Sequence, residues 1–92
     1  MHYVLLGNLN AAAIGKQKPR TQAARAKLKK LGITLQSVNY TQGVYDFVDI
    51  VDAPNPAAVL AFSVWYAAQG FGKITTMPAF DEKTMLAALK LA

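Results

Sequence analysis

Few side chains in this 92-residue sequence are suited to acid–base or nucleophilic chemistry. There is no cysteine, and His2 is the single histidine, so thiolate chemistry and a zinc-ligand cluster are excluded. Tyr45 and Asp46 follow a glycine, and a tyrosine beside a carboxylate there could bind a ligand or remove a proton. A structural interpretation competes with this one, because Asp46 could accept backbone N–H groups at the start of a strand. We favour the structural interpretation.

A second candidate group is aromatic. Phe62, Trp65 and Tyr66 recur on one side of a predicted helix, which is typical of core or interface packing. The alternative is the wall of a small apolar pocket between helix and sheet, with Tyr40 and Asn39 supplying polar contacts. The candidate ligand-binding residues are therefore Tyr45, Asp46, Tyr40, Asn39, Phe62 and Trp65.

Two further titratable residues carry weaker expectations. His2 could act as a base, but a lone histidine beside Met1 is more typical of a surface. Asp49 alternates with Tyr45 and Phe47 on one face of a predicted strand, where a buried carboxylate would need a partner. We expect Asp49 to lie at a solvated rim.

The basic residues are concentrated in one segment. The net charge is +5, seven of the ten lysines and arginines lie between Lys16 and Lys30, and the first acidic residue is Asp46. On a helix these cations encircle an exposed arc without any aromatic neighbour, which is typical of a solvated face. Nucleic acid is therefore an unlikely partner, although anion binding through this helix stays open.

Several kinds of site have no motif in the sequence. Gly70-Phe71-Gly72 is too short for a phosphate loop, no serine elbow occurs, and no carboxylates are paired one helical turn apart. We predict no metal and no cofactor, and whether the protein is an enzyme stays open. The longest uncharged stretch, residues 53–72, holds two prolines, and no signal peptide is evident. We therefore expect no membrane segment and a cytoplasmic location.

Hydrophobic periodicity and turn residues predict seven elements. Pro19 and Pro56 suit the first turn of a helix, and Gly32 and Gly70 suit positions just after one. The predicted order is a strand over 2–8, a loop over 9–18, a helix from Pro19 to Gly32, strands over 33–41 and 44–51 joined by a tight Gln42-Gly43 turn, a helix from Pro56 to about Gln69, a strand over 71–80 and a short helix after Asp81.

This order predicts an α+β, ferredoxin-like βαββαβ fold with an extra C-terminal helix, formed by one domain over residues 1–92. Right-handed crossovers place both main helices on one face of a four-stranded antiparallel sheet and leave the other face bare. We expect Tyr45, Phe47 and Val51 on the bare face. An apolar patch of that size favours pairing with a second copy.

The second main helix carries no charge between Pro56 and Gln69, so both of its sides should be covered. Leu60, Val64 and Ala67 lie opposite the aromatic group. The C-terminal helix, with Met85, Leu86 and Leu89, or another subunit would cover that side.

The segment from Gly43 to Pro54 resembles the signature of the GYD domain family. Agreement continues in Phe62-Ser63, at Gly70, in Thr75-Thr76 and in Ala79-Phe80, so the resemblance covers nearly the whole chain. It implies membership of the dimeric α+β barrel superfamily, in which two ferredoxin-like sheets close into a barrel. It implies no reaction and no catalytic residue.

Three functional hypotheses follow. The first is a homo-oligomeric α+β barrel protein whose partners are itself and a small apolar or aromatic ligand, acting as a binding or structural module. The second is a cofactor-independent enzyme, monooxygenase- or isomerase-like, that uses Tyr45, Asp46 or His2. The third is an anion or nucleic-acid binder that acts through the basic first helix.

Overall fold

A computed structural model describes all residues, 1–92, in four strands and four helices. In chain order these are β1 (His2–Leu9), α1 (Ala11–Ile14), α2 (Gln17–Lys30), β2 (Thr34–Tyr40), β3 (Phe47–Asp52), α3 (Pro56–Ala68), β4 (Gly72–Ala79) and α4 (Glu82–Leu91). The predicted order is confirmed with one addition. The short helix α1 lies in the segment that we predicted to be a loop.

The four strands form one antiparallel sheet in the order β2-β3-β1-β4. The first strand is central, since Tyr3 lies between Val51 of β3 and Pro78 of β4. Side chains from α2 and α3 pack on the same sheet face and form the core with it. The core residues are Tyr3, Leu5, Leu28, Ile33, Phe47, Val51, Ala53, Val59, Phe62, Tyr66 and Ile74.

The prediction for the two faces of β3 was wrong. Phe47 and Val51 were expected on the bare face, but they are buried beneath the helices, with 6% and 0% of their surface exposed. Both alternation classes of β1 and β3 are apolar, so hydrophobicity alone does not select a face. Gly7 contributes to the selection, because it pairs with Phe47 and a Cβ at Gly7 would overlap the Phe47 ring.

The bare face of the sheet carries the other alternation class. Register places Val4 and Leu6 of β1 beside Ile50 and Val48 of β3, and Met77 of β4 lies beside Val4. The first four side chains are half-buried and Met77 is exposed. We call Val4, Leu6, Val48, Ile50 and Met77 the bare-face cluster.

The connection between β2 and β3 is wider than the predicted two-residue turn. Tyr40 pairs with Phe47, and residues 41–46 form the loop between them. The Thr41 N–H donates to the Asp46 carbonyl at 2.9 Å, and the Thr41 hydroxyl donates to the Tyr45 carbonyl at 2.6 Å. Tyr45 therefore lies in this loop and not on the sheet.

The last two helices begin at side-chain caps but differ in burial. Asn55 accepts the Ala58 N–H at 2.9 Å, and Asp81 accepts the Thr84 N–H at 2.8 Å. One side of α3 is buried in the core, whereas α4 has no buried residue. None of the four helices combines the length and apolar composition that crossing a bilayer requires.

Candidate ligand-binding cleft

A small cleft lies between α2, α3 and the β2–β3 edge of the sheet, with a volume of about 50 Å³. Its walls are mostly apolar and include Leu28, Leu35, Val38, Phe47 and Phe62. Six residues with polar side-chain ends line the same space. They are Arg20, Thr21, Arg25, Tyr40, Asp49 and Tyr66. The arrangement combines apolar walls with a few convergent polar groups, as ligand sites do.

Asp49 is the half-buried acid of the cleft. It occupies the face of β3 between Phe47 and Val51, and its Oδ1 atom is buried without a hydrogen-bond partner. Burial raises the pKa of Asp49 from 3.8 to about 6, opposed by the positive charges of Arg25 and Arg20. The expectation of a solvated rim position was therefore wrong, because this face of β3 is turned toward the helices.

Arg20 is the buried cation of the cleft, and only 3% of its surface is exposed. Its Nη2 group donates to Gln17 Oε1, and Gln17 Nε2 donates to the Tyr40 hydroxyl at 2.6 Å. The Nε–H of Arg20 is buried without a partner. Arg20 and Asp49 do not form an ion pair, since the single ion pair of the structure joins the N-terminus to Asp52 at 2.8 Å.

Two tyrosines complete the polar set. Burial raises the pKa of Tyr66 to about 12, so its hydroxyl keeps its proton at neutral pH. The Tyr66 ring packs edge-on against Phe47, with 6.0 Å between centroids. Tyr40 is 56% exposed and lies at the mouth of the cleft. Around Asp49 the cleft therefore presents hydrogen-bond donors from Arg20, Arg25 and the two tyrosines, and Asp49 is its single carboxylate acceptor.

The structure brings together two of the predicted ligand-binding residues and separates the others from them. Tyr40 and Phe62 both line the cleft. Asn39 pairs with Val48 and so belongs to the bare face of the sheet. Trp65 stacks on Phe62 at 5.8 Å and lies under Lys27 Nζ, which is 6.0 Å from its ring centroid, outside the cleft.

Tyr45 and Asp46 have structural surroundings. The Asp46 carboxylate accepts the Leu9 N–H at 2.7 Å, and the Asp46 N–H donates to the Gly7 carbonyl at 2.7 Å. These bonds join the end of β1 to the loop before β3, which agrees with the structural interpretation of Asp46. His2 is exposed at the opposite end of β1, so it does not share a site with Asp46.

Sequence reasoning missed the residues that give the cleft its polarity. Asp49 lies between two apolar positions of one alternation class, and that pattern could have marked it as buried. Arg20 was grouped with the solvated cations of the first helix, but it is buried. Five other cations of that group are exposed, namely Lys16, Lys18, Arg25, Lys29 and Lys30.

The sequence comparison identifies the family. The family model described as GYD domain matches residues 3–89, so the chain belongs to the GYD domain family, as its resemblance indicated. Among curated proteins, the comparison found no match.

The structural comparison supports the fold. The crystal structure of MtbAldR matches with a TM-score of 0.71 and 23% identity, over 88% of this chain and 53% of that one. This chain thus spans about half the length of that protein. A second match is 5-chloro-2-hydroxyhydroquinone dehydrochlorinase (TftG) from Burkholderia phenoliruptrix AC1100 in complex with 2,5-dihydroxybenzoquinone, with a TM-score of 0.62 and 16% identity, over 91% of this chain and 98% of that one.

At these identities the matches bear on the fold alone. The predicted α+β, ferredoxin-like fold is confirmed.

Proposed function

We propose that this protein is a self-associating α+β barrel protein that binds a small anionic ligand in the cleft between α2, α3 and the sheet. One observation carries the ligand proposal. Arg20 Nε and Asp49 Oδ1 are buried, lack hydrogen-bond partners and face the same cleft. A buried polar group without a partner costs about 1–3 kcal/mol, so a ligand that bonds to both groups would recover that free energy.

The charges favour an anion. Arg20 and Arg25 bring two positive charges to the cleft, and Asp49 is the single acid among its lining residues. When Asp49 is protonated, its hydroxyl becomes a donor, and the cleft then presents donors from Arg20, Asp49 and the tyrosines. A carboxylate or an acidic hydroxyl group is the acceptor that fits such a set.

The size of the cleft limits the part of the ligand that it can enclose. A volume of about 50 Å³ is well below the roughly 150 Å³ of a cavity that holds benzene. The acidic group would therefore enter, while a ring or chain would rest against Tyr40 at the mouth. The TftG ligand, 2,5-dihydroxybenzoquinone, is a ring with acidic hydroxyls, and small hydroxyquinones and benzoates are the first compounds to test.

The binding test compares three proteins by calorimetry with such a panel at pH 6. We expect one or more of these anions to bind wild-type protein, and Arg20→Lys to weaken binding about tenfold or more, because the planar guanidinium donates two parallel bonds. Lys30→Gln is the matched control, since Lys30 is exposed on the same helix and should not matter. Absence of any binding, or equal loss in both variants, would contradict the proposal.

Self-association would use the bare-face cluster. Burying on the order of 400 Å² of apolar surface per copy would contribute roughly 10 kcal/mol before the entropic cost of association. That contribution is comparable to the whole stability of a small protein, about 5–15 kcal/mol. The bare face of a second copy is the matching surface, because it carries the same apolar side chains.

Light scattering at micromolar concentration tests this contact. Wild-type protein should have at least twice the 9.9 kDa mass of one chain. Ile50→Lys should shift the mass downward, because it places a charge inside the contact. Ala26→Lys, on the exposed side of α2, serves as the control. A monomeric wild type would rule out the contact, and so would an unchanged mass for Ile50→Lys.

One observation favours the enzyme hypothesis as a second candidate. Asp49 has a pKa of about 6 inside a cleft, which suits an acid–base group that works near neutral pH. A proton-transfer enzyme would exchange an acidic C–H of a bound ligand with deuterium from solvent. Asp49→Asn should then bind the ligand but lose the exchange measured by NMR. Equal exchange rates in both proteins would exclude Asp49 as the base.

A further inference from the structure

The C-terminal helix α4 has no packing partner in its own chain. None of its residues is buried, and Met85, Leu86 and Leu89 are each more than half exposed. The radius of gyration is 14.3 Å, compared with about 12 Å for a compact chain of this length. The longest dimension of 48 Å agrees with a helix that projects from the rest of the fold.

A helix of this length needs a partner to be stable. It has 10 residues, and isolated helices shorter than roughly 12–15 residues are marginal in water. Its N-cap bond from Thr84 to Asp81 helps but is worth only about 1 kcal/mol. Met85, Leu86 and Leu89 form a stripe on one side of α4. Lys83 lies away from this stripe, whereas Glu82 lies on it one turn before Met85, and Lys90 borders it one turn after Leu86. The partner should therefore be an uncharged apolar surface.

The outer side of α3 is such a surface. Leu60 and Val64 are 66% and 60% exposed, and alanines at positions 57, 61 and 67 flank them. These positions form a helical stripe opposite the buried Val59, Phe62 and Tyr66. Small residues beside two large ones let a second helix approach to the usual 8–10 Å or so. No side chain of α3 is charged.

The two stripes do not meet within one chain. Both are exposed, so α4 does not cover the outer side of α3. They are two exposed apolar helix stripes of the fold; the stripe of α3 contains no charge, and the stripe of α4 has Glu82 at its N-terminal end. We propose that α4 of one copy docks on the outer side of α3 of a second copy.

Chain length indicates which copy this is. In a pair joined through the bare sheet faces, the two sheets lie roughly 10 Å apart, and α3 of the partner lies a similar distance behind its own sheet. That α3 is therefore about 20 Å from the sheet of the first copy. Only Phe80 and Asp81 connect β4 to α4, and these two residues with the 10-residue helix reach roughly 22 Å at most. A helix docked on the outer side of that α3 would lie roughly a further 8–10 Å beyond it. Docking therefore joins a copy outside the sheet-to-sheet pair. Two-fold symmetry would make the contact twice, with α4 and α3 exchanged.

A disulfide in trans tests this contact, since the chain contains no cysteine. Leu60→Cys and Leu89→Cys are made in separate chains, and one of them carries a tag that alters its gel mobility. After mixing and mild oxidation, we expect a cross-linked product of mixed mass. Ala87→Cys, on the opposite side of α4, should give at least tenfold less product with the same Leu60→Cys partner.

Light scattering gives an independent readout. Leu89→Lys should reduce the mass of the largest species by about half while each chain stays folded, since Leu89 is outside the core. Three results would overturn the proposal. The first is a disulfide that forms only within one chain of the Leu60→Cys, Leu89→Cys double variant. The second is a particle mass that does not change in Leu89→Lys. The third is binding of α4 to anionic vesicles without any cross-link between copies.

The sheet contact is tested separately. Ile50→Lys removes the bare-face contact, and the trans disulfide should still form in that variant. Loss of the sheet contact and loss of the α4 contact are therefore distinguishable.

Discussion

At the scale of single residues, Asp49 sets a pH dependence of stability. Its pKa is about 6 when folded against 3.8 for the free side chain, so the folded state holds the proton more tightly. The stabilisation is complete below pH 3.8 and is lost as pH rises through 6, because the unfolded chain then binds fewer protons than the folded one. Partial exposure reduces the effect through solvent screening.

Asp49→Asn should remove this dependence. The amide side chain of the variant is neutral at every pH, so the variant should be more stable than wild type by about 1 kcal/mol at pH 8, after allowance for solvent screening of the Asp49 charge. Urea unfolding at pH 5 and pH 8 measures the difference. Asp52→Asn is a control that should change the pH dependence of stability in the opposite direction, since the hydrogen bond from the N-terminus lowers the pKa of Asp52. The same pH slope in Asp49→Asn and wild type would refute the assignment.

Gly7 provides a second test at this scale. A Cβ at Gly7 would overlap the Phe47 ring, whereas a Cβ at Gly15 would have no heavy atom within 4 Å. Gly7→Ala should therefore cost about 1–3 kcal/mol through overpacking. Gly15→Ala, at a φ of −73°, should be neutral or stabilise by roughly 0.5 kcal/mol. Similar urea midpoints for the two variants would show that Phe47 moves away without cost.

At the scale of elements, the caps of α3 and α4 should have different effects on stability. Asn55→Ala and Asp81→Ala each remove one N-cap bond, worth about 1 kcal/mol to the helix concerned. The α3 cap should lower the free energy of unfolding of the whole fold, because α3 supplies core residues. The α4 cap should lower the ellipticity at 222 nm without changing that free energy, since α4 buries nothing.

Both cap variants belong in a Leu60→Lys background, where docking of α4 on another copy is removed. A loss of global stability in Asp81→Ala of the same size as in Asn55→Ala would mean that α4 packs on its own chain. Equal ellipticity in Asp81→Ala and its parent would mean that the cap does not hold the helix.

At the scale of the whole molecule, folding and association should be coupled. A 92-residue chain without disulfides buries only a modest fraction of its surface, so copies that cover the bare-face cluster should stabilise one another. We expect the melting temperature to fall by roughly a few degrees with each tenfold dilution from about 100 µM to about 1 µM. The double variant Ile50→Lys, Leu60→Lys, which lacks both proposed contacts between copies, should melt at a temperature that does not depend on concentration. A wild-type melting temperature that is constant across this range would contradict the coupling.

The sequence by itself determined the order of the main elements and the fold class. Pro56 and Asn55 mark the start of α3, Gly32 and Gly70 follow helices, and Asp81 caps α4, because these signals depend on local backbone chemistry. Local patterns also placed two of the predicted ligand-binding residues correctly, since Tyr40 and Phe62 both line the cleft. Tyr40 ends a strand, and Phe62 lies on the buried side of a helix whose period is readable.

Tertiary structure alone decided which face of the sheet the helices cover. Both alternation classes of β1 and β3 are apolar, so burial of either would satisfy the hydrophobic effect, and close packing of Phe47 on Gly7 is one contact that distinguishes them. That decision turned Phe47 and Val51 inward and left Val48 and Ile50 on the bare face. It also turned Asp49 toward the helices, so that Asp49 and Arg20 line one cleft although they are 29 positions apart in the sequence and no local pattern encodes this arrangement.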